Sequence, residues 1–217
     1  LLPDGGEREL LEDARRFMAS EARYRHLGIP WRRGYLLEGL PGAGKSSLAE
    51  AIAGELGLDL YVVSLVGLTD RGLRGGLQAV PRHSAVVVED VDSGAPSREA
   101  SPRMEGVREP LSLGALLNAL DGPTAADGRL LFLTTNCVDA LVPAIIRPGR
   151  VDRRVTFGYA QPDQASALFA RFFEGDGRAG EFASRVCRSE VTMAAVQALL
   201  QKYMDDPDAA LDAARGW

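Results

Sequence analysis

The sequence predicts an α/β domain built on a parallel sheet, followed by a small all-helical subdomain. Three observations predict it. Short apolar runs alternate with helical patterns up to residue 159, the order expected of strands joined by right-handed crossovers. Ala85 to Val88 is apolar throughout, as in a strand buried on both faces of a parallel sheet. After Tyr159 the strand signals stop and only helical patterns remain, so the boundary is placed between 1–159 and 160–217.

Each element has its own signal. Glu7 to Arg25 reads as one helix, with Leu10, Leu11, Ala14, Phe17 and Met18 at helical spacing, ended by Gly28-Ile29-Pro30. Tyr35 to Glu38 is a short buried strand, and Ser46 to Leu56 is an Ala- and Leu-rich helix stopped by Gly57. Asp59 to Leu65 is a second strand, Thr69-Asp70 caps a helix running to about Ala79, and Ala85 to Val88 is a third strand. Ser93 to Pro110, with prolines and charges and almost no apolar residues, reads as a loop. Leu113 to Leu120 is a helix, Arg129 to Thr135 a fourth strand and Val155 to Phe157 a fifth. In the C-terminal part, helices are expected over Pro162–Glu174, Glu181–Cys187, Thr192–Met204 and from Asp206-Pro207 to Arg215.

Composition narrows the function. The chain has 217 residues, 46% hydrophobic and 25% charged, the range of a globular protein with one good core. A net charge of −5 argues against a nucleic-acid partner, because phosphate contacts need a basic surface. No apolar stretch approaches the roughly 20 residues that span a bilayer. Membrane contact is therefore expected only through a segment missing from this chain, which starts at Leu1 rather than Met, as a fragment or processed form would. Cys137 and Cys187 read as two reduced thiols, and neither they nor His26 and His83 have metal-ligand spacing.

There are two lysines against 23 arginines, and one of the two stands in Gly39-Leu40-Pro41-Gly42-Ala43-Gly44-Lys45-Ser46. This segment, between a strand and a helix, fits the G-x-x-x-x-G-K-[ST] phosphate-binding loop. A compact ammonium reaches between phosphate groups as a point charge, whereas a guanidinium is wider and planar. Most of the arginines read as interchangeable surface charge.

A nucleoside triphosphate would find backbone N–H groups in the loop and the N-terminus of the following helix for its phosphate oxygens, Lys45 for its β- and γ-phosphates, and the Ser46 hydroxyl for Mg²⁺. The cofactor contacts are assigned to Gly39, Pro41, Gly42, Ala43, Gly44, Lys45, Ser46 and Ser47. Hydrolysis also needs carboxylates. Glu89-Asp90-Val91-Asp92 supplies them at the C-terminal end of a buried strand, where ligand chemistry sits in open α/β sheets. Asn136, ending the next strand, can hold the attacking water or touch the γ-phosphate, or serve only as a turn former. Arg147, Arg150, Arg153 and Arg154 lie within eight residues. They read as a solvated basic loop, a nucleic-acid contact, or an arginine finger reaching a neighbour's γ-phosphate.

In order and spacing, Gly39–Ser46, Val86–Asp92, Leu116–Gly122 and Thr134–Asn136 leading into Arg147–Arg153 resemble AAA ATPases. Within them, the resemblance is to the mitochondrial Bcs-type chaperones of respiratory complex III assembly. Gly28 to Leu37, Ala53 to Leu56, the Glu-before-Asp order of Glu89-Asp90, and Tyr203 to Pro207 carry it, and it extends from about Glu9 to Asp212.

The resemblance implies a P-loop AAA domain, a parallel five-stranded αβα sandwich with a helical subdomain behind it. It implies homo-oligomeric rings at the mitochondrial inner membrane with the ATPase domain on the matrix side. It implies ATP hydrolysis to ADP with Mg²⁺, used to move a folded cargo, the Rieske iron–sulfur protein. Carried onto this chain, Lys45 and Ser46 meet phosphate and metal, Glu89 and Asp90 form the second acidic motif, and Ser46 and Glu89 hold Mg²⁺ through the nucleotide. Asn136 becomes the first sensor, Arg150 the trans finger and Arg153 a second finger. Gly28 and Ile29 border the adenine.

Three departures from the wider family stand out. The Glu89-Asp90 order leaves open which carboxylate serves the metal and which orients water. Leu40 replaces a usual proline. Val66 to Asp70 lacks the aromatic pore segment of threading unfoldases, which suits a folded cargo. Two other functions remain to weigh against a ring ATPase: a nucleotide-switched binding module with little hydrolysis, or an AAA protein that handles another cargo or DNA.

Overall fold

The computed structural model describes residues 6–94, 111–122 and 127–217. Helices α1 (Gly6–Met18) and α2 (Glu21–Leu27) precede strand β1 (Arg32–Gly39), and α3 (Lys45–Glu55) follows it. Then come β2 (Asp59–Ser64), α4 (Asp70–Ala79), β3 (Ser84–Glu89), the short α5 (Val91–Gly94), α6 (Leu113–Asp121), β4 (Arg129–Thr135) and β5 (Arg153–Phe157). Helices α7 (Pro162–Phe172), α8 (Ala179–Val186), α9 (Met193–Lys202) and α10 (Pro207–Ala213) complete the chain. The expected α/β fold with a helical C-terminal part is the one observed.

The five strands form one sheet in the order β2-β3-β4-β1-β5. The ladders β2–β3, β3–β4 and β4–β1 are parallel. Non-sequential neighbours require crossovers, which α3, α4 and α6 supply. Central strands β1, β3 and β4 carry runs of buried residues, whereas β2, at the edge, has only exposed and half-buried positions. Such incomplete burial is what an edge permits.

The chain falls into two compact units. One holds Leu10–Glu38 and Ser46–Thr156; the other holds the segment through Glu9, Gly39–Lys45 and Phe157–Trp217. In the sheet unit, Leu36, Val86, Val88 and Leu133 pack with Leu73 of α4 and Leu116 and Leu120 of α6. Tyr35 and Phe132 stack with ring centroids 5.1 Å apart. In the other unit, Phe169 of α7 lies between Phe173 and Phe182, each 4.8 Å away, over a core that includes Val196 and Leu200 of α9 and Leu211 of α10.

The single helix expected over 7–25 is two helices. Phe17's carbonyl is drawn out of the helical ladder: it accepts the Ser20 amide at 3.0 Å and hydroxyl at 2.7 Å, and the buried Trp31 indole N–H at 3.0 Å. Three competing donors end α1 where no glycine or proline marks a stop. The loop expected over 93–110 lies outside the described residues from 95 on, and Ser93 and Gly94 belong to α5.

Most of the described arginines are exposed, as expected of surface charge, but several of the others are structural fasteners. Arg33 makes a two-pronged ion pair with Asp13 of α1 at 2.9 and 2.7 Å, and the same carboxylate accepts the Tyr35 hydroxyl at 2.9 Å. Arg129, at the start of β4, donates to the carbonyls of Leu77 at 2.7 Å, Pro81 at 3.1 Å and Val80, tying down the end of α4. Arg178 bridges Asp176 and Asp208 of α10. The guanidinium fork reaches several acceptors at once, which an ammonium does less well.

Two measurements check this packing. Phe169→Ala removes a fully buried ring and is expected to cost about 3–5 kcal/mol in urea unfolding of the C-terminal helices. Burial, and then the Asp13 carboxylate, hold the Tyr35 phenol above its ordinary pKa. The folded state therefore keeps this proton where the unfolded chain has lost it, so stability falls as pH rises above about 10. Tyr35→Phe is expected to flatten that alkaline loss, although it is less stable at neutral pH for want of the Asp13 hydrogen bond; an equally steep loss in the variant would exclude Tyr35 as the cause.

Candidate functional site

The loop Gly39–Lys45 is shaped by three left-handed glycines, Gly39 (φ 136°), Gly42 (φ 71°) and Gly44 (φ 101°). Such angles strain any residue with a Cβ. At Gly39 space forbids one as well, since a Cβ would lie 1.9 Å from the Phe157 carbonyl oxygen. The Leu40 amide donates to that same oxygen at 3.3 Å. Gly42's carbonyl accepts the Ala194 amide from the first turn of α9 at 3.0 Å. Lys45, only 8% exposed, donates from Nζ to the Gly39 and Leu40 carbonyls, each at 2.8 Å, which holds the ammonium inside the curve of the loop. Pro41 and Gly42 are exposed and Ala43 is buried.

Ser46 is the next residue in the chain, in the first turn of α3. Its hydroxyl donates to Glu89 Oε1 at 2.9 Å. Ser47 is exposed on the same turn. Asp90, one residue past the end of β3, has φ 46°, a left-handed angle that aspartate tolerates better than most residues. Its amide donates to Thr134 Oγ1 at 3.0 Å, and its carboxylate accepts from Asn136 Nδ2 at 3.2 Å. The Asn136 amide in turn donates to Asp92 Oδ1 at 3.3 Å.

The structure thus brings Ser46, Glu89, Asp90 and Asn136 together, and it separates the two carboxylates. Glu89 turns to the Ser46 hydroxyl and Asp90 to Asn136. A serine hydroxyl beside a carboxylate is an all-oxygen donor pair suited to Mg²⁺, so the residues present fit that ion. Thr134 and Asp92 were not singled out from the sequence. The buried Thr134-Thr135 doublet ending an otherwise apolar strand was the available signal.

The arginine run is not evenly exposed. Arg150 does not project. It is 9% exposed, its Nη2 pairs with Asp121 of α6 at 2.8 Å, and its Nη1 donates to the Ala144 carbonyl. Gly34 makes room for it, since a Cβ there would lie 1.7 Å from the Arg150 carbonyl oxygen. Arg153 is half-buried and turned toward Asp13, 4.0 Å away. Arg147 is the exposed arginine at the start of the run. A charge run in sequence looks evenly solvated; Asp121 and Asp13, which sort it, lie far away along the chain.

Gly28 and Ile29 are not brought to the carboxylates. Gly28 caps α2 in the left-handed conformation, its amide donating to Arg25 and Tyr24 carbonyls. Ile29 lines an open hollow with Phe17, Tyr24 and Leu27, about 340 Å³ in volume, that Ser46, Glu89, Asp90 and Asn136 do not share. In the turn after β2, Val66 is 73% exposed, and Thr69 caps α4 by accepting the Gly72 amide at 3.1 Å.

Comparison with known proteins places this geometry. Residues 35–159 match the model of the ATPase family associated with various cellular activities (AAA), and residues 162–216 match the ATPase lid domain of the mitochondrial chaperone BCS1-like type. The chain is 39% identical to a probable mitochondrial chaperone bcs1 of Schizosaccharomyces pombe, over 99% of this chain and 48% of the relative. It is also 39% identical to the mitochondrial chaperone BCS1 of Homo sapiens, over 97% of this chain and 52% of that protein. An AAA-ATPase of Arabidopsis thaliana shares 39% identity over 73% of this chain. The chain spans about half the length of the BCS1 relatives it matches. With a phosphate loop, an acidic strand end and a matching lid, the chain belongs to the AAA ATPase family and carries a BCS1-like lid.

Proposed function

We propose that this chain is the ATPase part of a homo-oligomeric ring chaperone that hydrolyses ATP with Mg²⁺ to move a folded protein. The observation that carries the proposal is the division of the two carboxylates, Glu89 on the Ser46 hydroxyl and Asp90 on Asn136. Lys45 neutralises phosphate charge. Ser46 and Glu89 would hold the metal, which when bound would neutralise charge on the phosphate oxygens and make the phosphorus easier for water to attack. Asp90, fixed by Asn136, orients water and takes its proton. Its side chain is one methylene shorter than the more usual glutamate, and the left-handed backbone at 90 re-aims it. Gly28 and Ile29 border the adenine in this reading.

The names of the relatives support a mitochondrial chaperone. An inner-membrane anchor outside this chain, a matrix-facing ATPase and the Rieske iron–sulfur protein as cargo extend that reading. Val66–Asp70 offers no aromatic side chain to grip an extended polypeptide, which favours a folded cargo. For the shared site, Arg147 is the arginine offered to the neighbour, and Arg150 positions the run by holding Asp121.

Steady-state ATP hydrolysis tests the proposal. Rate per subunit should rise with protein concentration as rings form; a flat rate near zero would make the chain a nucleotide-operated switch instead. Lys45→Ala is expected to abolish nucleotide binding. Asp90→Asn should keep ATP binding and lose about 10²–10⁴-fold in turnover, whereas Glu89→Gln should weaken Mg²⁺-dependent binding. The opposite pattern reverses the two roles.

Arg147→Ala is expected to lower turnover about 10³-fold with an unchanged melting temperature. Arg150→Ala should instead lower the melting temperature, because Asp121 loses its partner. If Arg150→Ala alone stops turnover in a fully stable protein, Arg150 is the trans residue.

A further inference from the structure

A cavity of about 330 Å³ lies in the sheet unit, and Ser46, Glu89, Asp90 and Asn136 take no part in its walls. Its floor is one row of the sheet: Gly34 of β1 pairs with Leu131 of β4, which pairs with Val86 of β3. The row stands near the beginnings of these strands, whereas Glu89 ends β3 and Asp90 lies just past it. Leu77 of α4 and Ala119 of α6 form apolar walls. Gly34 lets the Arg150 backbone approach this row closely, since a Cβ there would lie 1.7 Å from the Arg150 carbonyl oxygen.

The polar part of the lining is strongly cationic. Arg74, Arg129 and Arg150 all reach it, and among its described lining residues Asp70 is the one acid. Asp70 is already committed, accepting the Ser112 amide at 2.6 Å and hydroxyl at 2.9 Å. Arg150 pairs with Asp121 at 2.8 Å, yet it and the other two arginines keep donors or charge that no carboxylate answers among the described residues. Arg150 is nine-tenths buried, and its Nε is a buried donor with no hydrogen-bond partner. Arg129 donates to three backbone carbonyls and meets no carboxylate among the described residues, and burial lowers its pKa. Arg74 is exposed on α4 and forms no ion pair with the described residues. A buried donor left open, such as the Arg150 Nε, is costly, and an anion supplied from outside would answer it together with the unpaired charges of Arg129 and Arg74.

We propose that this cavity is a binding site for a small organic anion, with its charged head on Arg150, Arg129 and Arg74 and its apolar body over Val86, Leu131 and Leu77. The volume is at the low end for ligand pockets, which suits a compact molecule rather than a peptide. Because Arg150 belongs to the arginine run, an occupant also braces the run from beneath.

The probe is 8-anilinonaphthalene-1-sulfonate, an aromatic sulfonate whose fluorescence rises on leaving water, titrated into the folded chain with and without saturating ATP. Saturable binding of one molecule per chain, unaffected by ATP, is expected. Arg74→Glu should weaken it at least about tenfold, since it exchanges a charge-assisted contact for repulsion. Ala119→Phe should remove it by filling the hollow.

Should Ala119→Phe fail to fold, Arg74→Glu decides alone, because residue 74 is exposed. Absence of saturable binding, binding as tight in the Arg74→Glu protein, or displacement by ATP would each overturn the proposal. A chain that binds the sulfonate but no ATP would leave this site standing and remove the ATPase reading instead.

Discussion

The register of β4 against its two neighbours governs where every candidate group sits. Glu38 stands beside Thr135, and Val88 beside Leu133, so β1, β3 and β4 reach their C-terminal ends together. That common end places Glu89 at the end of β3 and Asp90 just past it, beside Asn136 after β4. Side chains alternate along a strand, so a slip of one residue would carry Thr134 to the opposite face and take away the hydroxyl that accepts the Asp90 amide. The buried runs of β1, β3 and β4 make such a slip costly, because both faces of these strands are packed. The core is thus also the alignment of the site.

Arginine supplies much of the fastening around that sheet. Arg33 joins α1 to β1, Arg129 holds the end of α4, and Arg150 fixes the end of α6 through Asp121. Each is partly or wholly withdrawn from water, where a paired charge is worth more than on the surface and an unpaired one costs more. The same feature that stiffens the unit also concentrates positive charge at the starting ends of the strands, opposite in sign to the acidic ends. Lys45 stands apart from this scheme. It spans a few ångströms of loop rather than two elements of the fold.

Much of this was legible in the sequence. Alternating strand and helix signals, the loop at Gly39–Ser46 and the acidic end of β3 are local patterns, and local patterns survive in one dimension. The break between α1 and α2 was not legible, because it arises from Trp31 and Ser20 competing for one carbonyl rather than from a residue that dislikes helices. That Glu89 and Asp90 turn to different partners needed the positions of Ser46 and Asn136, each more than forty residues away. The burial of Arg150 was not legible for the same reason. Its neighbours in sequence are charged and exposed, while its partner, Asp121, is remote.

The bond between the Gly42 carbonyl and the Ala194 amide joins main chain to main chain. No side-chain replacement that keeps the backbone path can delete it, so the tie between loop and α9 is insulated from sequence drift. What drift must respect is bulk. A Cβ at 42 would come within 3.1 Å of the Ala194 methyl, so the two positions are bound to one another by size even though the bond itself is indifferent to identity. A lineage could lose nearly every other residue of α9 and still inherit the tie.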